Sequence, residues 1–253
     1  MVEHFRKVIE TAAKYQVSLV PHEPIKDTGI RRTYPNILSR EGAKGQEFNG
    51  FMSTKDNNKP NHTTILPFTR LLSSPMDYTP GIFNLKEYRY NSPDNRTINT
   101  NHHIPSTIAK ELALYVVIYA PVQMAADLPE NYTDHPAFQF ILDVPTDWEQ
   151  TIVLNGEIGQ YITTVRKDIN SSDWYLGIIT NENGRELSID LSFLDAEKAY
   201  NATIYKDPNN GGWKSKPEEV AIETIVVKKD DLYTASLMPG GGQAIRFSPS
   251  AID

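Results

Sequence analysis

The chain of 253 residues contains no cysteine. This absence excludes disulfide bonds, thiolate metal sites and cysteine nucleophiles. It leaves the redox compartment open, because oxidising and reducing environments both tolerate a chain without cysteine. Any chemistry must therefore come from carboxylates, histidines and hydroxyl groups.

Long hydrophobic runs and an excess of positive charge are also missing. The most apolar helix candidate, from Ile108 to Tyr119, is shorter than the roughly 20 residues of a membrane span and contains Lys110 and Glu111. The 25 Lys and Arg residues stand against 32 Asp and Glu, for a net charge of −7, and form no basic stripe that could neutralise phosphates. We therefore expect neither a membrane span nor a nucleic-acid partner.

The N-terminal residues do not have the pattern of a targeting signal. Met1 is followed by charged residues, with no apolar h-region and no small-residue cleavage site. An amphipathic helix is predicted instead over residues 3–15, so we expect the chain to begin inside a domain. The chain itself leaves its localisation unknown.

Up to residue 144, helical patterns alternate with short apolar strands, which is typical of a parallel α/β domain. Ser106 is the predicted N-cap of the last helix. We expect the three strands to be parallel and adjacent in order. The predicted segments are a helix over 3–15, a strand near 17–21, a short helix over 65–72, a strand near 73–77, a helix over 108–119 and a strand near 121–125.

From residue 145 the apolar pattern changes to a period of two. Short runs rich in β-forming residues are separated by Asn-Gly and Lys-Asp-Asp turn signals. The pattern predicts an antiparallel β-sandwich over residues 145–253, after an α/β domain over residues 1–144. The predicted strands are 151–154, 160–167, 174–180, 186–193, 201–207, 220–227, 232–237 and 243–247.

Polar residues follow the first predicted strand. His22 and Glu23 stand where it ends, and Glu41 and Glu47 stand in the segment beyond it. Side chains at the carboxyl ends of parallel strands face the ligand crevice, so we expect these four in one cleft. The alternative is that Glu41 and Glu47 are solvated helix residues, because glutamate is mostly exposed in proteins.

Several other side chains admit a functional and a structural interpretation. Asp77 is either catalytic or an acceptor for the backbone of the turn after it. His102 and His103 are either metal ligands or loop residues. His62 and Arg70 line a pocket rim or belong to the surface.

Arginines and tryptophans leave similar alternatives. Arg31 and Arg32 could clamp a carboxylate or a sugar hydroxyl, or form structural ion pairs. Trp148, Trp174 and Trp213 could stack on sugar rings, or pack in the core of the sandwich.

Ordered blocks of this sequence together resemble glycoside hydrolase family 97, which contains calcium-dependent α-glucosidases and α-galactosidases. The resemblance covers essentially the whole chain, which corresponds to the C-terminal portion of a family member. The blocks are His22-Glu23-Pro24, Thr28-Gly29-Ile30-Arg31-Arg32-Thr33-Tyr34-Pro35-Asn36, Glu41-Gly42-Ala43-Lys44-Gly45-Gln46-Glu47, Leu66-Pro67-Phe68-Thr69-Arg70, Pro75-Met76-Asp77-Tyr78-Thr79-Pro80-Gly81-Ile82-Phe83, Ala109-Lys110-Glu111-Leu112-Ala113 and Gln123-Met124-Ala125-Ala126-Asp127-Leu128-Pro129-Glu130-Asn131-Tyr132.

The resemblance implies a fold and a location. Residues 1–144 would be the C-terminal arc of a (β/α)8 TIM barrel, followed by an antiparallel β-sandwich domain. Such an arc has an open edge, through which we expect self-association. A periplasmic or secreted location is also implied.

The resemblance also implies roles for the four clustered residues. Glu47 would be the general acid, and Glu23, Glu41 and Glu47 would bind Ca²⁺, whose preferred ligands are carboxylate oxygens. Glu23 would also help activate the water, and His22 would contact the substrate.

Because the resemblance places Glu23 only in inverting members, it implies inverting hydrolysis of α-glucosidic bonds in oligosaccharides. A second base and a fourth calcium-binding carboxylate are expected upstream of residue 1, so we expect this chain alone to be inactive. The alternatives are an α-galactosidase, a non-catalytic truncated fragment and a carbohydrate-binding remnant.

Overall fold

The computed structural model describes residues 1–51, 58–86 and 103–250. The helix predicted over 3–15 and all eight predicted β-runs are confirmed, with small shifts at their ends. In chain order the elements are α1 (Val2–Lys14), α2 (Ile30–Thr33), α3 (Phe48–Phe51), α4 (His62–Ile65), two 3-10 turns (Leu66–Phe68 and Arg70–Leu72), α5 (Ile108–Val117), α6 (Pro129–Tyr132), α7 (Phe138–Asp143), β1 (Trp148–Glu157), β2 (Tyr161–Asp168), β3 (Trp174–Thr180), β4 (Arg185–Asp190), β5 (Tyr200–Lys206), β6 (Ala221–Val227), β7 (Leu232–Leu237) and β8 (Gly242–Pro249).

The first part of the chain contains extended segments that lie side by side. Leu19 pairs with Ile37 and Arg40 pairs with Met76, each in parallel. A hydrogen bond from Met76 N to Tyr119 O joins a further segment. This parallel arrangement agrees with an α/β domain, and the C-terminal arc of a (β/α)8 barrel stays a prediction.

The predicted order of adjacent strands is wrong at one point. The segment 37–41 lies between the segments at Leu19 and Met76, which the sequence pattern placed next to each other. The signal was missed because Ile37-Leu38-Ser39-Arg40-Glu41 is short, mixes apolar with polar residues and follows a loop rich in Gly, Arg and Asn. Glu41 therefore stands at the end of a strand-like segment of its own.

The strand predicted near 121–125 is not formed. Residues 121–126 form no β-strand. Two hydrogen bonds hold them instead: Tyr115 Oη donates to Met124 O at 2.6 Å, and Ala126 N donates to Pro80 O at 3.2 Å. The apolar run therefore packs against the turn after Tyr78 without joining a sheet.

The C-terminal part is a mostly antiparallel β-domain. Its larger sheet has the strand order β1-β2-β3-β8-β5-β6, and β4 pairs with β7 in a second, two-stranded sheet. Buried residues of both sheets, such as Leu176, Ile204 and Ala235, form one core cluster. Two sheets with a shared core are compatible with the predicted sandwich.

Helix α5 packs directly on the large sheet. All ten of its residues are buried. Its N-cap is Thr107, whose side chain accepts from Lys110 N at 3.2 Å, rather than the predicted Ser106. A Cβ atom at Gly177 of β3 would lie 2.5 Å from Ala113 O, so only glycine permits this close contact. In the described part of the chain, no helix has the length and apolar character to cross a membrane.

Lys110 connects three parts of the chain from inside the core. It is 1% exposed, and its Nζ donates to Pro60 O at 2.8 Å and to Thr180 O at 2.9 Å. Burial lowers the pKa of Lys110 to about 8 and raises the pKa of nearby buried Asp207 to about 7. The core therefore continues across residue 144, and the domain boundary at that residue stays a prediction.

Candidate functional site

The structure brings together three of the four residues that the sequence places in one cleft. Ligand atoms of His22, Glu41 and Glu47 all lie within 4.8 Å of one another. His22 Nδ1 is 3.4 Å from Glu47 Oε1 and 4.0 Å from Glu41 Oε2. Glu41 is buried, whereas the Glu47 side chain is 33% exposed, so Glu47 can reach a bound molecule.

Glu23 contributes its backbone to this group. Its N–H donates to Glu41 Oε2 at 3.2 Å, and its own backbone has a φ of +41°. Positive φ is uncommon outside glycine and is often found at functional sites. Among the described residues, the group of close ligand atoms does not include the Glu23 carboxylate, although the residue adjoins it.

Asp77 is the partner of His22. Its carboxylate is 3% exposed, and Oδ2 lies 2.8 Å from His22 Nε2. The sequence left Asp77 between a catalytic role and a turn role. The side chain instead fixes the imidazole from the segment of Met76, which the segment 37–41 separates from the segment of Leu19. No local pattern could reveal this contact, because 55 residues separate the two side chains.

The negative charges around His22 raise its pKa. Burial alone would lower the pKa of His22, but the hydrogen bond to Asp77 and the negative charges of Glu41, Asp77 and Glu47 together raise it. The imidazolium form is therefore the one that offsets the repulsion between these carboxylates.

Arg70 holds the segment that ends in Glu41. Its guanidinium donates to Glu41 O at 2.9 Å and to Arg40 O at 2.8 Å, and also to Ser74 O and Pro75 O. Burial and the positive charge of Arg40 lower the pKa of Arg70 to about 10. Arg70 therefore joins two backbone segments, and the suggested place on a pocket rim does not describe its role.

Two carbonyl groups in the loop between Glu41 and Glu47 are held by side chains from the segment after it. His62 Nε2 is 2.8 Å from Lys44 O, and Asn58 Nδ2 donates to Gly45 O at 3.0 Å. Burial lowers the pKa of His62, which favours the neutral imidazole in this contact. The loop therefore enters the cleft with the carbonyls of Lys44 and Gly45 already paired.

The other sequence candidates fall outside this cluster. Arg31 forms an ion pair with Asp27 at 3.1 Å, which supports its structural interpretation. Trp174 is 3% exposed and packs on Phe193 in the core of the β-domain. Trp148 lines a separate open cavity of about 670 Å³.

The adjacent histidines His102 and His103 are a further pair of candidates. His103 stacks on Trp213, with ring centroids 5.7 Å apart, which agrees with its loop interpretation. Within the ranges that the structure covers, His103 is not part of a group of three potential metal ligands. His102 lies outside the described residues.

Comparison with known families gives two matches. A family described as "Glycosyl-hydrolase 97 C-terminal, oligomerisation" matches residues 147–248, and one described as "Glycoside hydrolase 97" matches residues 1–43. Both parts of the chain are therefore similar to one family.

Curated relatives have the same family character. A retaining alpha-galactosidase from Bacteroides thetaiotaomicron is 36% identical over 243 residues, covering 95% of this chain and 35% of that protein. A probable retaining alpha-galactosidase from Streptomyces bingchenggensis is 29% identical over 246 residues, covering 95% of this chain and 33% of that protein. The chain spans about a third of the length of these relatives.

Solved structures extend the similarity. A glycoside hydrolase family 97 enzyme from Pseudoalteromonas sp. strain K8, solved in complex with panose and in complex with acarbose, is 47% identical. It matches with a TM-score of 0.88 over 99% of this chain and 38% of the other. A beta-arabinopyranosidase that is 23% identical, with a TM-score of 0.78, shares the fold.

We predict that His22 titrates above 6.5, its ordinary pKa, in the chelator-treated chain, and that Asp77→Asn lowers its pKa. Because the pKa is raised, protonation of His22 contributes to the stability of the fold. This contribution is fully present below pH 6.5 and is lost as the pH rises through the folded-state pKa. Nuclear magnetic resonance titration measures both effects, with His22→Gln assigning the signal. His62 is the internal control and should titrate below 6.5. A His22 pKa at or below 6.5 would contradict the geometry.

Proposed function

Because this chain belongs to glycoside hydrolase family 97 and corresponds to its C-terminal portion, we propose that it supplies the general-acid side of an active site that hydrolyses α-linked glucosides. The observation that carries this proposal is the convergence of His22, Glu41 and Glu47. His22 and Glu41 stand where two parallel segments end, and Glu47 follows in the loop after Glu41. The proposal includes the substrate class, an α-glucoside, and the stereochemistry, which is inversion.

Glu47 is the proposed acid. Its partly exposed carboxyl group can reach the glycosidic oxygen and donate a proton as the bond to the anomeric carbon breaks. Buried Glu41 lies behind it, and His22, held by Asp77, is placed to contact a sugar hydroxyl. Water then supplies the new hydroxyl group, and a base accepts its proton.

Calcium is the proposed cofactor. Glu41 and Glu47 offer the hard oxygen ligands that Ca²⁺ prefers, with Glu23 next to them, and a cation here would neutralise the crowded carboxylates. Ca²⁺ takes six to eight oxygen ligands, so these residues would hold part of its coordination shell. When bound, the ion would orient the carboxylates and polarise an oxygen of water or substrate.

The sugar specificity has two candidates. The curated relatives are named alpha-galactosidases, whereas the more similar solved enzyme, at 47% identity, binds panose and acarbose. The higher identity supports an α-glucoside as the proposed substrate. An α-galactoside remains the second candidate, because it is the substrate class in the relatives' names.

The stereochemistry also has two candidates, inversion and retention. The names of both curated relatives contain the word retaining, which conflicts with the expected inversion. The argument for inversion is Glu23, which the family resemblance associates with inverting members. Inversion requires an acid and a base about 6.5–9.5 Å apart with water between them, whereas retention requires a nucleophile about 5–5.5 Å from the acid.

We predict that the enzyme that carries this chain cleaves panose faster than aryl α-galactosides and releases β-glucose first. An inverting reaction changes the anomeric configuration in one displacement. Proton magnetic resonance during the first minutes identifies the anomer before mutarotation. Initial release of the α-anomer would show retention, and faster cleavage of the galactoside would show the second specificity.

We predict that Glu47→Gln lowers kcat on panose by roughly 100-fold or more, and much less on an activated aryl α-glucoside. The poor leaving group of panose needs a proton, whereas the aryl group departs without one. Steady-state kinetics on both substrates measures the difference. Glu130→Gln, an exposed glutamate on α6, is the control and should change neither rate. Equal losses on the two substrates would contradict the acid role.

We predict that the purified chain binds Ca²⁺ and that Glu41→Gln weakens this binding roughly tenfold or more, because fewer carboxylates mean lower affinity. Isothermal titration calorimetry after chelator treatment measures the affinity without depending on activity. The exposed glutamate of β4, changed as Glu186→Gln, is the matched control. Unchanged affinity in Glu41→Gln would remove this residue from the calcium site.

A further inference from the structure

Tyr78 faces the opposite side of its segment from Asp77. Successive side chains of an extended segment alternate, so while Asp77 contacts His22 in the cleft, Tyr78 points into the interior. Tyr78 is 3% exposed, and its hydroxyl donates to Gln46 Oε1 at 3.1 Å. Asp77 thus contacts His22 on the cleft side, and Tyr78 contacts Gln46 on the interior side.

Gln46 is bonded to Tyr78 twice. Besides the side-chain contact, Gln46 N donates to Tyr78 O at 2.9 Å. Gln46 is 1% exposed, and its Oε1 also receives Asn49 Nδ2 at 3.4 Å. The residue just before Glu47 is therefore fixed through its backbone and through its side chain.

The Tyr78 hydroxyl is a dependable donor for this purpose. Burial raises the pKa of Tyr78 well above its ordinary value of 10, so the group stays protonated at any pH at which the fold would be assayed. The turn that follows is also closed: Thr79 has a φ of +63°, and its Oγ1 donates to Tyr78 O at 2.6 Å. The carbonyl that receives Gln46 N is thereby held in place.

We infer that Tyr78 is a positioning residue that sets the reach of the Glu47 carboxyl group through Gln46. This inference rests on the proposed role of Glu47 as the general acid. Small errors in the placement of a reacting group cost large factors in rate, so loosening Gln46 weakens proton donation without removing the acid. Substrate binding, which other residues provide, is left unchanged.

The test compares Tyr78→Phe with the unaltered enzyme that carries this chain. We expect kcat on panose to fall about tenfold, while KM and the rate on an activated aryl α-glucoside stay within about twofold. Gln46→Met removes the acceptor of the same hydrogen bond and should give the same selective loss. The double variant should lose little more than either single one, because both changes break one contact.

Tyr175→Phe is the matched control. Tyr175 is 2% exposed, and its hydroxyl donates to Asp143 O at 2.9 Å, away from the site. The Tyr175→Phe variant loses a buried tyrosine hydroxyl of the same kind, so its effect on the stability of the fold should be similar to that of Tyr78→Phe. We expect it to leave the ratio of the two rates unchanged.

The outcomes separate this inference from the proposed function. If Glu47→Gln is selective against panose and Tyr78→Phe and Gln46→Met are not, the positioning role is overturned and the acid role stands. If Glu47→Gln itself reduces both rates equally, the acid assignment fails and the inference fails with it. A selective loss in Tyr78→Phe that Tyr175→Phe does not show supports the inference.

Discussion

The candidate site depends on the guanidinium of Arg70. Its donors pair with the carbonyls of Arg40, Glu41, Ser74 and Pro75, which belong to two neighbouring extended segments. A planar fork with several donors suits this task, whereas a lysine could not reach four carbonyls in fixed directions. Arg70 thus fixes these two segments relative to each other. The residues that follow them, which form part of the cleft, therefore have defined positions.

A second constraint is the alternation of side chains where these segments end. Asp77 and Tyr78 are adjacent, yet one fixes His22 on the cleft side and the other fixes Gln46 on the interior side. The polar groups inside the cleft are thus supported by polar groups beneath it: Asp77 pairs with His22, and the Tyr78 hydroxyl pairs with Gln46 Oε1. Paired groups of this kind keep a buried polar layer from becoming a cost to stability.

Sequence reasoning predicted the β-domain well, because the period of two and the turn residues are local signals. It also selected His22, Glu41 and Glu47, through their positions after a strand and the family resemblance. It missed the segment 37–41, whose pairing is short and whose apolar residues are few. Asp77 and Tyr78 could not be assigned either, since their partners lie 55 and 32 residues away in the chain and no periodicity relates them.

The β-domain supports the site from behind, through helix α5. Strand β3 contacts the helix, whose Glu111 accepts from Gly81 N at 3.0 Å, while Tyr115 Oη donates to Pro80 O at 3.3 Å. These bonds hold the turn that follows Tyr78, and Tyr78 in turn holds Gln46 beside Glu47. A continuous series of contacts therefore runs from the large sheet to the proposed acid. The region matched as an oligomerisation domain is thus also part of the scaffold on which the geometry of the cleft depends.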